Sequence, residues 1–331
     1  MSIAVVIPCY KVKRHILTVL DDIPPEVQHV VVVDDKCPDQ SGHYVLENSS
    51  DPRVTVVFNE VNLGVGGAVL RGYQEGIRRG ATVLVKIDGD GQMDPALLSQ
   101  FTGPLLSGQA DYAKGNRFYD LGSLSSMPKL RVFGNAVLSF MAKVSSGYWE
   151  IFDPTNGYTA ITAAAAEALP FDKLSKRYFF ETDMLFRLST VGAHVVDIPM
   201  NSKYGEEVSG LSAFGVVPEF TKRHAVNFVK RIFYSYYLRG MSAASLELPL
   251  GVGLLGFGII FGSVKWIGSI GGAPASSGTV MLAALPVIVG TQFVLSFLSY
   301  DMTRRPRNPK FLINPQHEAQ VIGFDRGGAD K

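Results

Sequence analysis

The sequence has little cysteine and carries no secretory signal. Cys9 and Cys37 are the only cysteines among 331 residues, and they lack the C-x-x-C spacing of metal and redox motifs. Met1 is followed almost directly by an apolar run, without the basic stretch, apolar core and cleavage site of a signal peptide. Both absences argue against a secreted protein, and we expect a reducing, cytosolic environment.

The chain also lacks a substantial net charge and a cluster of histidines. With 31 Lys and Arg against 30 Asp and Glu, its formal charge of +1 provides no field that would attract nucleic acid. Nucleic acid is therefore not an expected partner. The six histidines are scattered without metal-ligand spacing, so none of them is assigned to a metal.

Charged residues are scarce, and their distribution divides the chain into two parts. They make up 18% of the residues against 47% for hydrophobic ones, and the apolar excess lies almost entirely in the last third. A length of 331 residues is enough for one large soluble domain with an appendage. The composition thus predicts a soluble domain followed by an apolar segment.

Four short β-branched runs, separated by helical stretches, predict a parallel sheet wound with helices and hence an α/β domain. The second run, Val30 to Val33, has no polar alternation, as a central strand covered on both faces requires. Ligands of such sheets bind at the carboxyl ends of the strands, so the chemistry is expected just after each run. The runs cover residues 3–7, 29–33, 54–58 and 82–87.

The last third contains two apolar runs that predict membrane-spanning helices. Leu248 to Val264, extendable to Ile270 if Lys265 snorkels, and Ser276 to Tyr300 both match the roughly 20 residues needed to cross hydrocarbon. A buried globular hairpin is the alternative. Basic residues flank the outer ends of both runs, whereas the link between them has only Lys265, so both ends are predicted to be cytoplasmic.

A basic amphipathic helix is predicted before these runs, from Pro218 to Leu238. Its apolar residues recur at three- and four-residue steps, with Asn227, Lys230 and Arg231 among the residues on the other side. The helix either packs on the domain core or lies at the bilayer interface, which its aromatic end favours. The predicted organisation is a catalytic domain over 1–210, juxtamembrane helices over 211–240, a hairpin over 241–301 with spans at about 246–268 and 278–300, and a disordered cytoplasmic tail over 302–331.

The strongest local signal is the strand Val83 to Ile87, which leads directly into Asp88-Gly89-Asp90-Gly91-Gln92. Mg²⁺ and Mn²⁺ prefer oxygen ligands, usually one or two carboxylates together with substrate phosphate, so this segment predicts a metal and diphosphate site. In this prediction Asp90 and Gln92 share the ion, and Asp88 faces the nucleotide-sugar. An ordinary acidic turn is the alternative.

A second acidic group follows an earlier buried strand. Asp34 and Asp35 end that strand, and Asp39 follows in a turn. Carboxylates that converge at one sheet edge need a cation or hydrogen-bond donors to stay ionised together, which favours a diphosphate-metal site or a base and ribose site. Turn and cap chemistry is the alternative for Asp34 and Asp35.

Six segments, taken in order, carry a resemblance to a known family. They are Ile7-Pro8-Cys9-Tyr10, Val33-Asp34-Asp35, Asn62-Leu63-Gly64, Asp88-Gly89-Asp90-Gly91-Gln92, Gly115-Asn116-Arg117 and Asp153-Pro154-Thr155-Asn156-Gly157-Tyr158. Together they resemble family-2 glycosyltransferases, above all the polyprenyl-phosphate subgroup with dolichol-phosphate mannose synthase and the bactoprenol glucosyltransferases. The resemblance spans about residues 3–210, and the paired C-terminal runs match the bactoprenol members.

The resemblance implies a GT-A fold, which is α/β with a mostly parallel central sheet, and a set of donor-site residues. Its implied metal is Mg²⁺ or Mn²⁺, handled by Asp88, Asp90 and Gln92. The nucleotide-sugar contacts that it implies are Pro8, Tyr10, Asp35, Asp39, Asp88, Gly89 and Lys203.

The resemblance also implies an acceptor site for a lipid phosphate. Arg117 and Arg131 occupy the positions that meet this phosphate, and Asn135 lies one helical turn beyond Arg131. The planar donors of a guanidinium group match phosphate oxygens, although exposed arginines are often only solvated.

Asp153 and Asp183 are candidate bases, and with Asp90 they complete the predicted catalytic set. A lipid phosphate is already anionic near neutral pH, so it needs positioning and charge compensation more than deprotonation. In the alternative, Asp153 orients Arg117 or Arg131, and Asp183 caps a helix from Met184 to Thr190.

The predicted activity is inverting transfer of one sugar, with glucose from UDP-glucose as first choice, to polyprenyl (undecaprenyl) phosphate. The Q-x-x-R-W motif of processive synthases is absent, which favours single transfer. The alternatives are mannose or amino-sugar transfer, or an inactive nucleotide-binding membrane adaptor. Expected partners are the UDP-sugar donor, polyprenyl phosphate, the bilayer and further copies of the chain. The expected location is a bacterial-type plasma membrane, with the catalytic domain and both termini in the cytoplasm.

Overall fold

The computed structural model describes residues 1–119, 129–201, 213–270, 272–304, 306 and 308–311. The chain forms two compact units. The first contains residues 1–228 and the described residues from Pro306 onward, and the second contains residues 229–305.

The first unit is built on a seven-stranded sheet with the strand order β3-β2-β1-β4-β6-β5-β7. Strands β1 to β4 are parallel to their neighbours in this group, and β5 is parallel to β7. Only β6 runs antiparallel, to both β4 and β5. The strands are β1 (Ile3–Cys9), β2 (His29–Asp34), β3 (Val54–Phe58), β4 (Val83–Lys86), β5 (Tyr112–Asn116), β6 (Thr159–Thr162) and β7 (Val195–Pro199).

Helices cover both faces of this sheet, which confirms the predicted α/β class with a mostly parallel sheet. Residues Val5 and Ile7 of β1 pack into one apolar layer with Phe101, whereas Val6 packs into the other with Tyr73. This two-sided burial explains why the strands read as continuous apolar runs. The helices are α1 (Ile16–Asp21), α2 (Ser41–Asn48), α3 (Val65–Arg78), α4 (Leu98–Leu106), α5 (Lys129–Ser146), α6 (Ala163–Glu167), α7 (Phe180–Val191), α8 (Ala213–Phe233), α9 (Ala243–Ser269) and α10 (Ser277–Thr303).

Helices α9 and α10 of the second unit form a hairpin, and each is long and apolar enough to cross a membrane. Glycines let their backbones approach closely. A Cβ on Gly251 would lie 3.0 Å from the carbonyl oxygen of Gly290, and one on Gly258 would lie 2.7 Å from Val287 Cγ2. Small residues at such contacts are typical of helix packing in membranes.

Helix α8 buries polar side chains and exposes apolar ones, the reverse of a helix that packs on an apolar core. Asn227 and Arg231 are buried, whereas Val229 is 64% exposed and Phe233 is 53% exposed. The buried side chains have specific partners, because Asn227 donates to Asp183, and Arg231 pairs with Asp301 at 2.6 Å. The side opposite the apolar residues, on which the sequence places Asn227 and Arg231, therefore makes buried polar contacts at both positions. Two roles were predicted for this helix, packing on the domain core and lying at the bilayer interface. Its exposed apolar side chains favour the bilayer interface.

The segment that follows the hairpin is fixed to the first unit by Asp111, which precedes β5. This fully buried carboxylate accepts hydrogen bonds from the backbone N–H groups of His194, Lys310 and Phe311. The His194 ring lies 2.9 Å from the carbonyl oxygen of Pro306. Lys310 and Phe311 belong to the tail that the sequence predicts to be disordered, yet these bonds hold them in place.

Replacement of Asp111 by alanine should destabilise the first unit, because three backbone N–H groups lose their buried acceptor. We expect a loss of about 3 kcal/mol, given that each unsatisfied buried group costs roughly 1–3 kcal/mol without full additivity. Thermal unfolding of the purified full-length chain would measure this loss. Asp172→Ala, at an exposed carboxylate, is the matched control, and equal melting of the two variants would contradict the assigned role.

Candidate active site

The sheet topology brings most of the predicted site segments to one edge. Strands β1, β2 and β4 are adjacent and parallel, so the residues after Cys9, Asp34 and Lys86 emerge together. Thr159, which starts β6, pairs with Lys86 of β4 and with Lys114 of β5. Residues 153–158, which precede this antiparallel strand, therefore reach the same edge as Arg117, which follows β5.

The most unusual feature of this edge is a lysine buried at the end of an apolar strand. Lys86 is 1% exposed, and its ammonium group lies 2.9 Å from Asp88 Oδ1 and 3.2 Å from Glu181 Oε1. Burial opposes the charged ammonium, but the two carboxylates outweigh it, so the pKa of Lys86 is raised. A Cβ on Gly157 would collide with Lys86 Nζ and Asp88 Oδ2, so a larger residue at this position would displace the ion pair.

Sequence reasoning missed Lys86 and Glu181 as parts of this site. Glu181 is buried in α7, and burial raises its pKa in spite of the neighbouring Lys86 ammonium. One signal was available, because a lysine that ends the otherwise apolar strand β4 needs a partner when the strand is covered on both faces. The identity of that partner had no local signal.

The carboxylates after β4 differ in their surroundings. The negative charge of Asp88 is offset by the ammonium group of Lys86. Asp90 Oδ1 accepts a hydrogen bond from the backbone N–H of Gln92 at 3.0 Å, in a turn where Gly91 has a positive φ of 77°. Asp90 and Gln92 are therefore two oxygen-bearing residues in one turn after the strand.

These oxygen donors fit a hard divalent cation, provided that a bound ligand completes the coordination. Among the residues that the structure describes, no three His, Cys, Asp or Glu side chains are grouped to hold a metal by themselves. Mg²⁺ commonly binds through one or two carboxylates together with substrate phosphates. Asp90 and Gln92 suit this arrangement better than Asp88, because the Lys86 ammonium already holds one oxygen of Asp88.

Asp34 and Asp35 organise the loops around the edge. Asp35 accepts hydrogen bonds from Asn59 Nδ2 and from the backbone N–H groups of Leu63 and Gly64, at 2.7–2.9 Å. Asp34 likewise accepts from the backbone N–H groups of Cys37 and Gly42. The turn and cap chemistry considered as an alternative is thus present at both residues, and a direct nucleotide contact by Asp35 stays a prediction.

The remaining predicted nucleotide contacts differ in accessibility. Tyr10 and Asp39 are exposed, and Pro8 is half-buried. Gly89 is buried against α1, since a Cβ there would lie 3.2 Å from Ile16 Cδ1. Lys203 lies outside the described residues.

Arg117 and Asp153 form a two-pronged ion pair. Arg117 Nε donates to Asp153 Oδ2 and Arg117 Nη2 to Asp153 Oδ1, each at 2.7 Å, and the backbone N–H of Arg117 adds a third bond. Burial favours the neutral acid, but Arg117 and nearby Lys114 hold the pKa of Asp153 below its usual value. A carboxylate so engaged is a poor base, and the arrangement favours the alternative in which Asp153 orients Arg117.

Asp183 has a role inside the first unit. Its carboxylate is buried and accepts hydrogen bonds from the backbone N–H of Ser175 at 2.9 Å and from Asn227 Nδ2 at 3.0 Å. The prediction that it caps a helix starting at Met184 is wrong, because α7 begins at Phe180 and Asp183 lies within its first turn.

Two predicted acceptor residues lie on α5. Asn135 is half-buried there, whereas the side chain of Arg131 lies outside the described residues. Of the predicted acceptor set, Arg117 is thus the residue for which the structure gives a defined geometry.

Comparisons with known proteins identify the family of this chain. The sequence model of the family described as Glycosyl transferase family 2 matches residues 4–169. The chain is 31% identical to undecaprenyl-phosphate mannosyltransferase of Micrococcus luteus, across 66% of this chain and 90% of that protein. It is 34% identical to polyprenol monophosphomannose synthase of Mycolicibacterium smegmatis, across 59% of this chain and 75% of that protein.

A solved structure shows the same fold. Glucosyl-3-phosphoglycerate synthase from Mycobacterium tuberculosis, in complex with Mn²⁺, uridine diphosphate and phosphoglyceric acid, aligns with a TM-score of 0.51 and 17% identity. The alignment covers 70% of this chain and 78% of the synthase. At this identity the similarity establishes the fold and leaves the substrates to be argued from the site.

Proposed function

The chain belongs to glycosyl transferase family 2, and from this premise we propose that it transfers one sugar from a nucleotide diphosphate-sugar to a polyprenyl phosphate at a membrane surface. One observation carries the proposal. The Asp88 to Gln92 segment and the Arg117–Asp153 pair lie at the same edge of the sheet. This edge therefore offers oxygen donors for a metal-bound diphosphate beside a fixed cation for a second phosphate.

The donor half of the proposed site lies at the ends of β1, β2 and β4. Asp90 and Gln92 would hold Mg²⁺ or Mn²⁺, which when bound would offset the negative charge of the departing diphosphate. Asp88, which pairs with Lys86, would accept hydrogen bonds from sugar hydroxyls. Tyr10 and Asp39 are exposed beside it, where a nucleoside can reach them.

The acceptor half centres on Arg117. Asp153 holds the guanidinium group in one orientation, and this preorganises it for phosphate oxygens. In the proposed reaction, a phosphate oxygen of the lipid attacks the anomeric carbon while the bond from that carbon to the diphosphate oxygen breaks. The nucleoside diphosphate leaves, and the configuration is inverted. Because the attacking phosphate is already anionic, the step needs no proton acceptor.

Two sugars are favoured by separate observations. Both relatives compared above are named for mannose transfer, which makes mannose the first donor to test. Glucose from UDP-glucose stays the prediction of the sequence, because the paired C-terminal helices resemble those of the bactoprenol glucosyltransferases. Sugar specificity depends on a few hydroxyl contacts, so the strand-end residues alone do not select between these donors.

The proposal places the hairpin α9–α10 in the bilayer and the first unit in the cytoplasm. Exposed apolar residues on α8 support contact with the membrane surface. The chain enters the hairpin from the first unit, and after the hairpin Lys310 and Phe311 bind Asp111 of the same unit. Both ends of a spanning hairpin must then lie on one side, which agrees with its basic flanks.

Product analysis with a set of donors tests the proposed function. Membranes containing the chain should convert undecaprenyl phosphate to a lipid heavier by one hexose with GDP-mannose or UDP-glucose, and chelation of divalent ions should stop the reaction. The same membranes with UDP-N-acetylglucosamine test amino-sugar transfer. A chain that binds nucleotide and never forms a glycolipid would overturn the proposal and favour a membrane adaptor.

A further inference from the structure

Helix α10 carries a polar face along its cytoplasmic half. Gln292, Ser296, Ser299 and Thr303 are spaced by four, three and four residues, which places them on one side of the helix. Together with Leu295 and Tyr300 they line an open groove of about 540 Å³. The following inference rests on the proposed placement of the hairpin in a bilayer, which makes such a face costly.

Gln292 lies too deep for its side chain to reach the membrane surface. It lies 11 residues before Thr303, the end of α10, and therefore roughly 17 Å along the axis at a rise of about 1.5 Å per residue. The 27-residue helix is about 40 Å long, and the hydrocarbon layer is about 30 Å thick. With the helix centred, Gln292 is roughly 10 Å inside the hydrocarbon, farther than its side chain extends.

Within the part of the chain that the structure describes, three neighbouring hydroxyl groups have hydrogen-bond partners, but the Gln292 amide does not. Thr291 and Thr303 donate hydrogen bonds to carbonyl groups of their own helix, and Ser296 donates to Glu247 of α9 at 2.9 Å. The Gln292 amide points outward, and none of the hydrogen bonds in the described part of the chain involves it. A polar group without a partner in hydrocarbon is strongly unfavourable, so this amide requires a partner from outside the chain.

We infer that two copies of this chain associate in the membrane through the polar face of α10, with the two Gln292 amides bonded to each other. An amide has both a donor and an acceptor, so two identical residues across a two-fold axis satisfy each other reciprocally. Ser296 and Ser299 are small and permit close approach of the two helices. Gln292 itself is exposed, and the close contact of α10 with α9 at Gly290 lies about 200° around the helix from it.

Site-directed cross-linking in native membranes tests the geometry of this contact. A cysteine at position 292 should form a disulfide between two copies under mild oxidation, whereas one at Val280, about 120° around the same helix, should not. The natural cysteines, Cys9 and Cys37, are buried, and the chain without an added cysteine gives the background level of cross-linking. Equal cross-linking at 280 and 292, or none at 292, would overturn the inference.

Self-association of labelled full-length chains in liposomes measures how much the Gln292 contact contributes to the affinity between two copies. Gln292→Leu should weaken association at least tenfold, and the matched control Val280→Leu should leave it unchanged. Unchanged association of Gln292→Leu would show that the amide meets a lipid or another protein and would reject the second copy as its partner.

The same samples separate this inference from the proposed function. Alkaline extraction first establishes that the chain is membrane-integrated, and glycolipid formation is then measured in parallel. An active, integrated chain that stays monomeric would reject the inference alone. Release of the chain by alkali would show that the hairpin is not inserted in the bilayer, which would contradict both the inference and the proposed function.

Discussion

Asp90→Ala should reduce sugar transfer by at least about 1,000-fold, equivalent to on the order of 4 kcal/mol of transition-state stabilisation. Asp90 supplies the carboxylate of the turn formed with Gln92, and Asp88 cannot replace it while it is held by Lys86. In the proposed reaction, the diphosphate would then leave without the charge compensation that a bound metal would provide. Initial rates of glycolipid formation, measured across a range of Mg²⁺ and Mn²⁺ concentrations, give the effect.

Two further variants define what the loss at Asp90 means. Asp172→Ala removes an exposed carboxylate far along the chain and should retain full activity. Asp90→Asn keeps the side-chain shape and should lose nearly as much activity as Asp90→Ala, because the negative charge is what binds the cation. Normal rates for Asp90→Ala at limiting metal would show that this carboxylate does not hold the ion.

Lys86→Met should cost both stability and activity. Removing the ammonium leaves the buried carboxylate of Glu181 beside Asp88 without a counterion, and breaking a buried pair in this way costs about 3–5 kcal/mol. Asp88 also loses the contact that orients it, so we expect a loss of roughly 100-fold in transfer among the molecules that remain folded. Thermal unfolding and initial rates at saturating donor measure the two effects separately.

A double variant separates the structural role of Lys86 from its effect on Asp88. In Lys86→Met with Glu181→Gln no buried charge is left at position 181, so most of the stability should return while the activity stays low. Recovery of full activity in the double variant would show that Lys86 acts on stability alone. Lys173→Met, at an exposed lysine, controls for the loss of one positive charge.

The stability of Lys86→Met should also depend on pH in a defined direction. Burial already raises the pKa of Glu181 in the native chain, and loss of Lys86 removes the nearest group that lowers it. A carboxyl group whose pKa is higher in the folded than in the unfolded state destabilises the fold once it ionises. The stability deficit of the variant should therefore shrink as the pH falls, and a deficit that grows would contradict the assignment.

Much of the donor side was predictable because its signals are local. The four β-branched runs are strands β1 to β4, and the acidic segments that follow β2 and β4 lie at the carboxyl ends of strands that flank β1 on either side. The two apolar runs lie in α9 and α10. These predictions were possible because strand and helix patterns arise from residues a few positions apart.

Predictions about polar side chains whose hydrogen-bond partners are distant in the sequence were less accurate. Asp183 was predicted to be a candidate base or, alternatively, a helix cap. Its carboxylate instead accepts hydrogen bonds from Ser175 and from Asn227, which lies 44 residues after Asp183. Asn227 and Arg231 were placed opposite the apolar residues of α8, and their burial was not predicted, because amphipathic patterning counts polarity and does not detect a buried polar partner. Both cases have one cause, which is that a polar side chain is buried when another part of the chain satisfies its hydrogen bonds.

The sequence by itself determined the α/β class, the apolar hairpin and the order of the strand-end motifs, since each follows from local spacing and hydrophobicity. Only the tertiary structure decided which charges meet. The antiparallel strand β6 brings residues 153–158 beside β4 and β5, and the bonds Lys86–Glu181, Arg117–Asp153 and Asp111–Lys310 join residues 95, 36 and 199 positions apart. Such pairings depend on the path of the whole chain. The motifs predict which residue types lie in the site, and these pairings orient their side chains.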